Sequence, residues 1–212
     1  MKESKEYIDD FGQQVESMRD LGFNPYSERV HIAVPNARER LMGGLRYYLG
    51  DRARWLPGYD QIAEWLGDNK GRGLLCIGNC GLGKTLICQN IIPVLIHQHT
   101  RLCPNAYTAT ELNKNIDDIL RKRIVIIDDL GTEAAEVSEY GNRRSPFNEL
   151  CDSVERRGSI LIITTNLRTT RAVDDKAASP TESIEERYGI RTLDRLRAIT
   201  KPVQLLGPSL RC

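Results

Sequence analysis

The chain has 212 residues and a mass of 24.0 kDa, room for one sizeable core and a short appendage but not for two full domains. Lys and Arg total 30 against 29 Asp and Glu, which excludes a globally basic nucleic-acid binder while leaving a local basic face open. Aromatic residues, at 6%, are too few for a base-stacking platform. The apolar runs fall short of the roughly 18 residues of a membrane span. The charged start MKESKEYIDDFGQQ has no signal core, so the expected location is cytoplasmic, with no membrane partner. In that setting Cys76, Cys80, Cys88, Cys103, Cys151 and Cys212 read as free thiols, and their spacing does not make a zinc site.

Residues 1–58 read as short helical pieces broken by LGFNP, VPN and WLPG. A helix over 7–21 carries Ile8, Phe11, Val15, Met18 and Leu21 at spacings of three and four. Such an apolar stripe is expected to pack on the core; the alternative is that it docks on a partner. Asn36 is placed to cap a helix reaching Leu49, with Leu41, Leu45 and Leu49 inside and Arg38, Arg40 and Arg46 outside. A second helix runs over 59–66 and stops at Gly67. From Gly73 onward short apolar runs alternate with helical stretches, as in a parallel sheet with crossover helices. The strands are 74–77, 106–108, 124–127, 160–163 and 203–206, and the helices 84–97, 111–120, 146–156 and 184–199, the last interrupted near Gly189. This predicts a three-layer α/β core with a five-stranded parallel sheet over 59–212, a helical amino-terminal extension over 1–58 and a mobile polar loop over 168–183.

Directly after the first strand stands Gly78-Asn79-Cys80-Gly81-Leu82-Gly83-Lys84-Thr85, a full match to G-x-x-x-x-G-K-[ST]. The glycines let backbone N–H groups converge on phosphate oxygens, and the helix that follows adds its positive end. Lys84 places a cation on the outer phosphates of ATP and the Thr85 hydroxyl ligates Mg²⁺. The strand over 124–127 ends in Asp128 and Asp129, which puts two carboxylates at the same edge of the sheet. Asp128 is expected to hold Mg²⁺ and Asp129 to orient or deprotonate the attacking water. Aspartate is a methylene shorter than glutamate, and a misplaced base is costly, so slow hydrolysis is expected. The strand over 160–163 runs into Thr164-Thr165-Asn166, where Asn166 can reach the terminal phosphate or the water.

GNCGLGKT, IVIIDD and ILIITTN resemble the Walker A, Walker B and sensor 1 elements of the AAA+ ATPases. DDLGTE (128–133) and ERYGIRTLDRL (186–196) narrow the resemblance to the DnaC/DnaI-type helicase loaders and their IstB-like relatives. That resemblance implies a P-loop core without a carboxyl-terminal lid, a nucleotide-dependent homo-oligomer, and an arginine finger at Arg195, with Arg191 in reserve. The candidate catalytic residues are then Lys84, Asp128, Asp129, Asn166 and Arg195. It also implies a replicative helicase as partner, engaged by residues 1–58. IstB-like regulation of transposition is the alternative, and a nucleotide-gated interaction module with little hydrolysis is the third reading. A P-loop small-molecule kinase leaves the Thr-Thr-Asn strand end unexplained. Arg38, Arg40, Arg46, Arg52 and Arg54, with the pairs Arg143-Arg144 and Arg156-Arg157, make single-stranded DNA a candidate ligand.

Overall fold

The computed structural model describes residues 2–23, 28–139, 141–170, 182–207 and 209. The fold grows from strands whose side chains are buried on both faces. These are β1 (Gly73–Gly78), β3 (Ile124–Leu130) and β6 (Ile160–Thr165), flanked by the edge strands β2 (Asn105–Thr108) and β7 (Thr200–Leu205). They form one parallel sheet in the order β2-β3-β6-β1-β7, with Ile127 paired to Ile163 and Leu75 to Ile163 across the three central strands. Alternate residues point to opposite faces, and each face holds its own core. Leu74, Cys76, Ile126 and Ile162 meet α2 (Ala37–Leu49), α3 (Tyr59–Gly67) and α4 (Ile92–Thr100). Leu75, Val125, Ile127 and Ile163 meet α5 (Ala109–Ile119), α6 (Pro146–Arg157), α7 (Ile184–Tyr188) and α8 (Ile190–Ile199). Helices on both faces are what near-continuous apolar strands require. The result is the α/β P-loop NTPase fold expected from the sequence.

Local chemistry explains the helix boundaries. Thr108 and Glu111 form a reciprocal capping box at α5, as Ser183 and Glu186 do at α7. The expected break near Gly189 is present: its φ of +84° turns the chain between α7 and α8. The helix expected over 84–97 is not uniform. It runs through a wide π turn, Leu86–Ile91, in which the Ile92 N–H bonds to Ile87 O, before α4 begins. Pro93, which has no N–H to donate, follows at once and accounts for the disturbance. Asn36 does stand at the start of α2, but at φ 51° and without a side-chain bond to the helix, so the expected cap is not made. A short antiparallel hairpin, β4 (Val137–Glu139) with β5 (Asn142–Arg144), was not foreseen.

The amino-terminal segment divides in two. Val30, Ile32, Val34, Leu41, Leu45 and Leu56 are buried in the same core as the sheet, and Ile32 and Val34 are held there by Asn69 Oδ1 and Leu66 O, both at 2.8 Å. The helix α1 (Lys2–Asp20) is different. It closes at Gly22, φ +91°, with the Phe23 N–H on Met18 O. Its stripe was expected to pack on the core, yet Ile8 and Phe11 are 70% and 72% exposed, and Met18 and Leu21 are exposed as well. None of these side chains joins either core. Residues 171–181 of the expected loop, and Cys212, lie outside the described residues. The five described cysteines are free thiols.

Candidate functional site

The phosphate loop leaves β1 at Gly78 and curls through Gly81 and Gly83, with φ of +85° and +74°. Side chains are excluded for a second reason at Gly78, where a Cβ would sit 2.6 Å from Leu205 O. Lys84 is 6% exposed, and its Nζ donates to Gly78 O at 2.7 Å, Asn79 O at 2.9 Å and Asn166 Oδ1 at 3.0 Å. Burial pulls its pKa below the ordinary lysine value, against the opposing pull of Cys80 and Asp129 nearby. A cation so desolvated gains more from a phosphate than a hydrated one does.

At the end of β3 the two carboxylates part company. Asp128 is buried and accepts from Thr85 Oγ1 at 3.0 and 3.2 Å and from Thr164 Oγ1 at 2.5 Å. Asp129 sits in an irregularity of the strand at φ +54°, where its exposed carboxylate lines the cavity. Asparagine and aspartate tolerate this left-handed conformation better than longer side chains do, which gives aspartate a backbone reason to be there. Thr164 joins the pair: its hydroxyl donates to Asp128 and accepts the Asp129 N–H at 2.9 Å. The sequence reading passed over Thr164. Pairing Ile127 with Ile163 sets it beside Asp128, so the signal lay in the strand register.

A cavity of about 220 Å³ lies over these groups, lined by Leu49, Asp129, Asn166 and the loop residues from Cys80 to Leu86. Its far wall is braced by a buried residue the sequence did not single out. Tyr59 donates its hydroxyl to Leu82 O at 2.9 Å, stacks edge-on against Trp55, and has its pKa pushed up to about 12 by burial. Arg38 lies over Trp55, 4.4 Å from the ring centre. Asn79, on the loop, contributes its carbonyl to Lys84, and Asn166 Nδ2 points to Cys80 Sγ at 3.9 Å. Thr85 and Asp128 present hard oxygen donors within hydrogen-bond distance of each other, the donor type that suits Mg²⁺.

Arg195 is not at this cavity. It lies on α8, paired with Asp152 Oδ1 at 2.5 Å and Glu155 Oε2 at 3.2 Å on α6. Arg191, one turn earlier, is exposed and has no ion-pair partner among the described residues. The two motifs DDLGTE and ERYGIR meet through Glu133. Its carboxylate accepts the Gly131 N–H at 2.9 Å and the Tyr188 hydroxyl, while its carbonyl accepts Arg187.

The profile of the family described as novel STAND NTPase 3 matches residues 56–197. The chain belongs to this family. No curated protein sequence matches it. Among solved structures, this STAND NTPase is similar to the crystal structure of the DnaC helicase loader, at 16% identity over 87% of this chain and 94% of that one, with a TM-score of 0.49. It is also similar to the crystal structure of DnaI, at 16% identity over 85% and 90% of the two chains and a TM-score of 0.49. A third is AMPPCP-bound DnaA from Aquifex aeolicus, at 14% identity over 72% and 47% and a TM-score of 0.46. No described helix of the STAND NTPase is long and apolar enough to cross a membrane.

Proposed function

We propose that this STAND NTPase binds ATP with Mg²⁺ and hydrolyses it slowly, serving as a switch whose turnover rises on self-assembly. One observation carries the reading: Lys84, Thr85, Asp129 and Asn166, from three separate strand ends, line one cavity, with Asp128 bonded to Thr85 behind it. Lys84 would exchange the carbonyls of its own loop for phosphate oxygens. Asp128, fixed by Thr85 and Thr164, would hold Mg²⁺ together with the Thr85 hydroxyl, and the ion would supply neutralisation of phosphate charge. Asp129 orients the attacking water from an exposed position, and Asn166 contacts the terminal phosphate. A short carboxylate on a left-handed backbone is the specific observation that favours the second reading, a nucleotide-gated module with little turnover.

The finger comes from α8 of a neighbouring copy. Arg195 must leave two carboxylates to reach it, whereas Arg191 has no ion pair to leave among the described residues. Comparing Arg191→Ala with Arg195→Ala for loss of assembly-dependent hydrolysis decides between them. The biological role we infer from the quoted motifs is helicase loading in DNA replication, with a replicative helicase as partner and single-stranded DNA as a further ligand.

Lys84→Ala tests the site. ATP affinity should fall about a hundredfold, ~2.7 kcal/mol, in a fluorescent-nucleotide titration; unchanged affinity overturns the assignment. Light scattering of the protein mixed with its host's replicative helicase, with and without ATP, tests the role. A nucleotide-sensitive complex supports loading. No complex, but ATP-dependent growth on DNA, moves the reading to transposition.

A further inference from the structure

In a parallel sheet every strand starts at one edge and ends at the other. The strand ends of this sheet carry the phosphate site, and the strand starts carry cations. Arg121 and Arg123 lead into β3, Arg156 and Arg157 into β6, and Lys70 into β1, the three adjacent central strands. The turns are bonded to one another. The Ile160 N–H donates to Arg123 O at 2.9 Å and Arg157 Nη2 to Arg121 O at 3.4 Å, which joins the β3 and β6 turns. The Val30 N–H donates to Gly158 O at 3.0 Å, and a Cβ on Gly71 would meet the Arg29 Cβ at 2.9 Å, so residues 29–30 bridge the β6 turn to the β1 turn. Six exposed cations, Arg29, Lys70, Arg121, Arg123, Arg156 and Arg157, therefore share one band across the amino edge of the sheet.

Their charges are not cancelled locally. Arg29, Arg156 and Arg157 bond to neutral carbonyl oxygens, and none of the six makes an ion pair among the described residues. The acids close by are engaged elsewhere: Asp118 by Lys122, Asp117 by Arg144, Asp152 and Glu155 by Arg195. Among the described residues of these turns, Glu28 and Asp68 oppose the six, and Asp68 is bonded to His31 Nε2. The whole chain carries a net charge of only +1, so the excess belongs to this edge and not to the molecule.

Three features select the ligand. Five of the six cations are arginine, whose planar guanidinium matches phosphate oxygens in pairs. The described turns, 28–31, 68–72, 120–123 and 156–159, hold no Phe, Tyr or Trp on which unpaired bases could stack, and no exposed apolar side chain to enter a lipid surface. The turns are also tied to one another through their backbones, and a fixed array of cations suits a rigid double helix, which carries one charge per roughly 1.7 Å of its axis. We propose that the amino edge of the sheet binds the phosphate backbone of a nucleic-acid duplex without reading its sequence, at the edge opposite the nucleotide cavity. This goes beyond the ATPase reading and does not rest on it: the nucleic-acid ligand acquires a surface, and that surface suits a duplex.

The test uses the full chain without nucleotide, so that a failed ATP site and a failed basic edge are read separately. In fluorescence anisotropy a short labelled DNA duplex of arbitrary sequence should bind. Log affinity should fall against log salt with a slope of about −4 to −5, as for roughly five neutralised phosphates. Arg123→Gln combined with Arg156→Gln should keep the wild-type circular dichroism, lower affinity about tenfold or more and shrink the slope by about 2. Arg52→Gln with Arg54→Gln, exposed cations that follow Leu49 on the cavity side, should change neither. A single strand of the same length should bind more weakly. Absence of duplex binding, unaltered affinity in the Arg123/Arg156 variant, a loss confined to the Arg52/Arg54 variant, or a single strand bound at least as tightly overturns the proposal. So does cosedimentation of the wild type with phosphatidylserine vesicles in place of duplex binding, which would assign the edge to a lipid surface.

Discussion

The phosphate edge of the sheet and the helix α1 invert the usual distribution of side chains in opposite ways. At the phosphate edge, Lys84, Asp128 and Thr164 are polar and buried, and each is bonded within the chain. On α1, Ile8, Phe11 and Met18 are apolar and exposed, and none joins a core among the described residues. Single exposed apolar residues are ordinary, but a buried charge or an exposed stripe is informative. The difference teaches where each region meets its ligand. The buried network is already organised, as a site for a small charged group must be, whereas the exposed stripe has no packing partner among the described residues.

Substitutions can break or sharpen this contrast. Thr164→Val should do most damage, because it removes one of the two hydroxyls on the Asp128 carboxylate and leaves the Asp129 N–H without its partner. A loss of about 1–3 kcal/mol in denaturant unfolding is expected, with hydrolysis falling more than ATP affinity; wild-type stability and turnover would remove Thr164 from the network. Tyr59 gives a smaller, pH-gated effect. Burial raises its pKa from 10.0 to about 12, so its contribution is fully present below pH 10 and is lost as pH rises through 12. Tyr59→Phe should flatten the decline of melting temperature across that window, in part only, since Tyr188, Cys88 and Cys151 are raised by burial or bonding too. An unchanged slope would assign the alkaline loss to those groups. Phe11→Ser should do least, changing monomer stability by no more than about 0.5 kcal/mol. A larger loss would mean that α1 is packed in solution.

The strands and the phosphate motif were legible because fully buried strands write themselves as unbroken apolar runs, as in Leu74 to Ile77 and Ile160 to Ile163. The turn at Gly189 was legible from local backbone chemistry, whereas α5 begins at Ala109, two residues ahead of the expected 111, because Thr108 caps it. Other features were not. A three-residue strand such as Val137–Glu139 is too short to show a period. The exposure of α1 cannot be read from spacing, since an amphipathic stripe looks the same whether or not something covers it. The site was legible as a set of residues but not as a geometry. The left-handed Asp129 and the bridging role of Thr164 depend on how β3 and β6 are aligned, and the pairing of Arg195 with Asp152 and Glu155 depends on how α8 crosses α6.

Glu133 fastens two parts of the molecule with opposite ends of one residue, its carboxylate on Gly131 and Tyr188 and its carbonyl on Arg187. In kinematic terms this is a linkage with little play. The strand end that carries Asp129 and the helix α7, which leads through Gly189 into α8, then share a degree of freedom, so neither can tilt alone without breaking the joint.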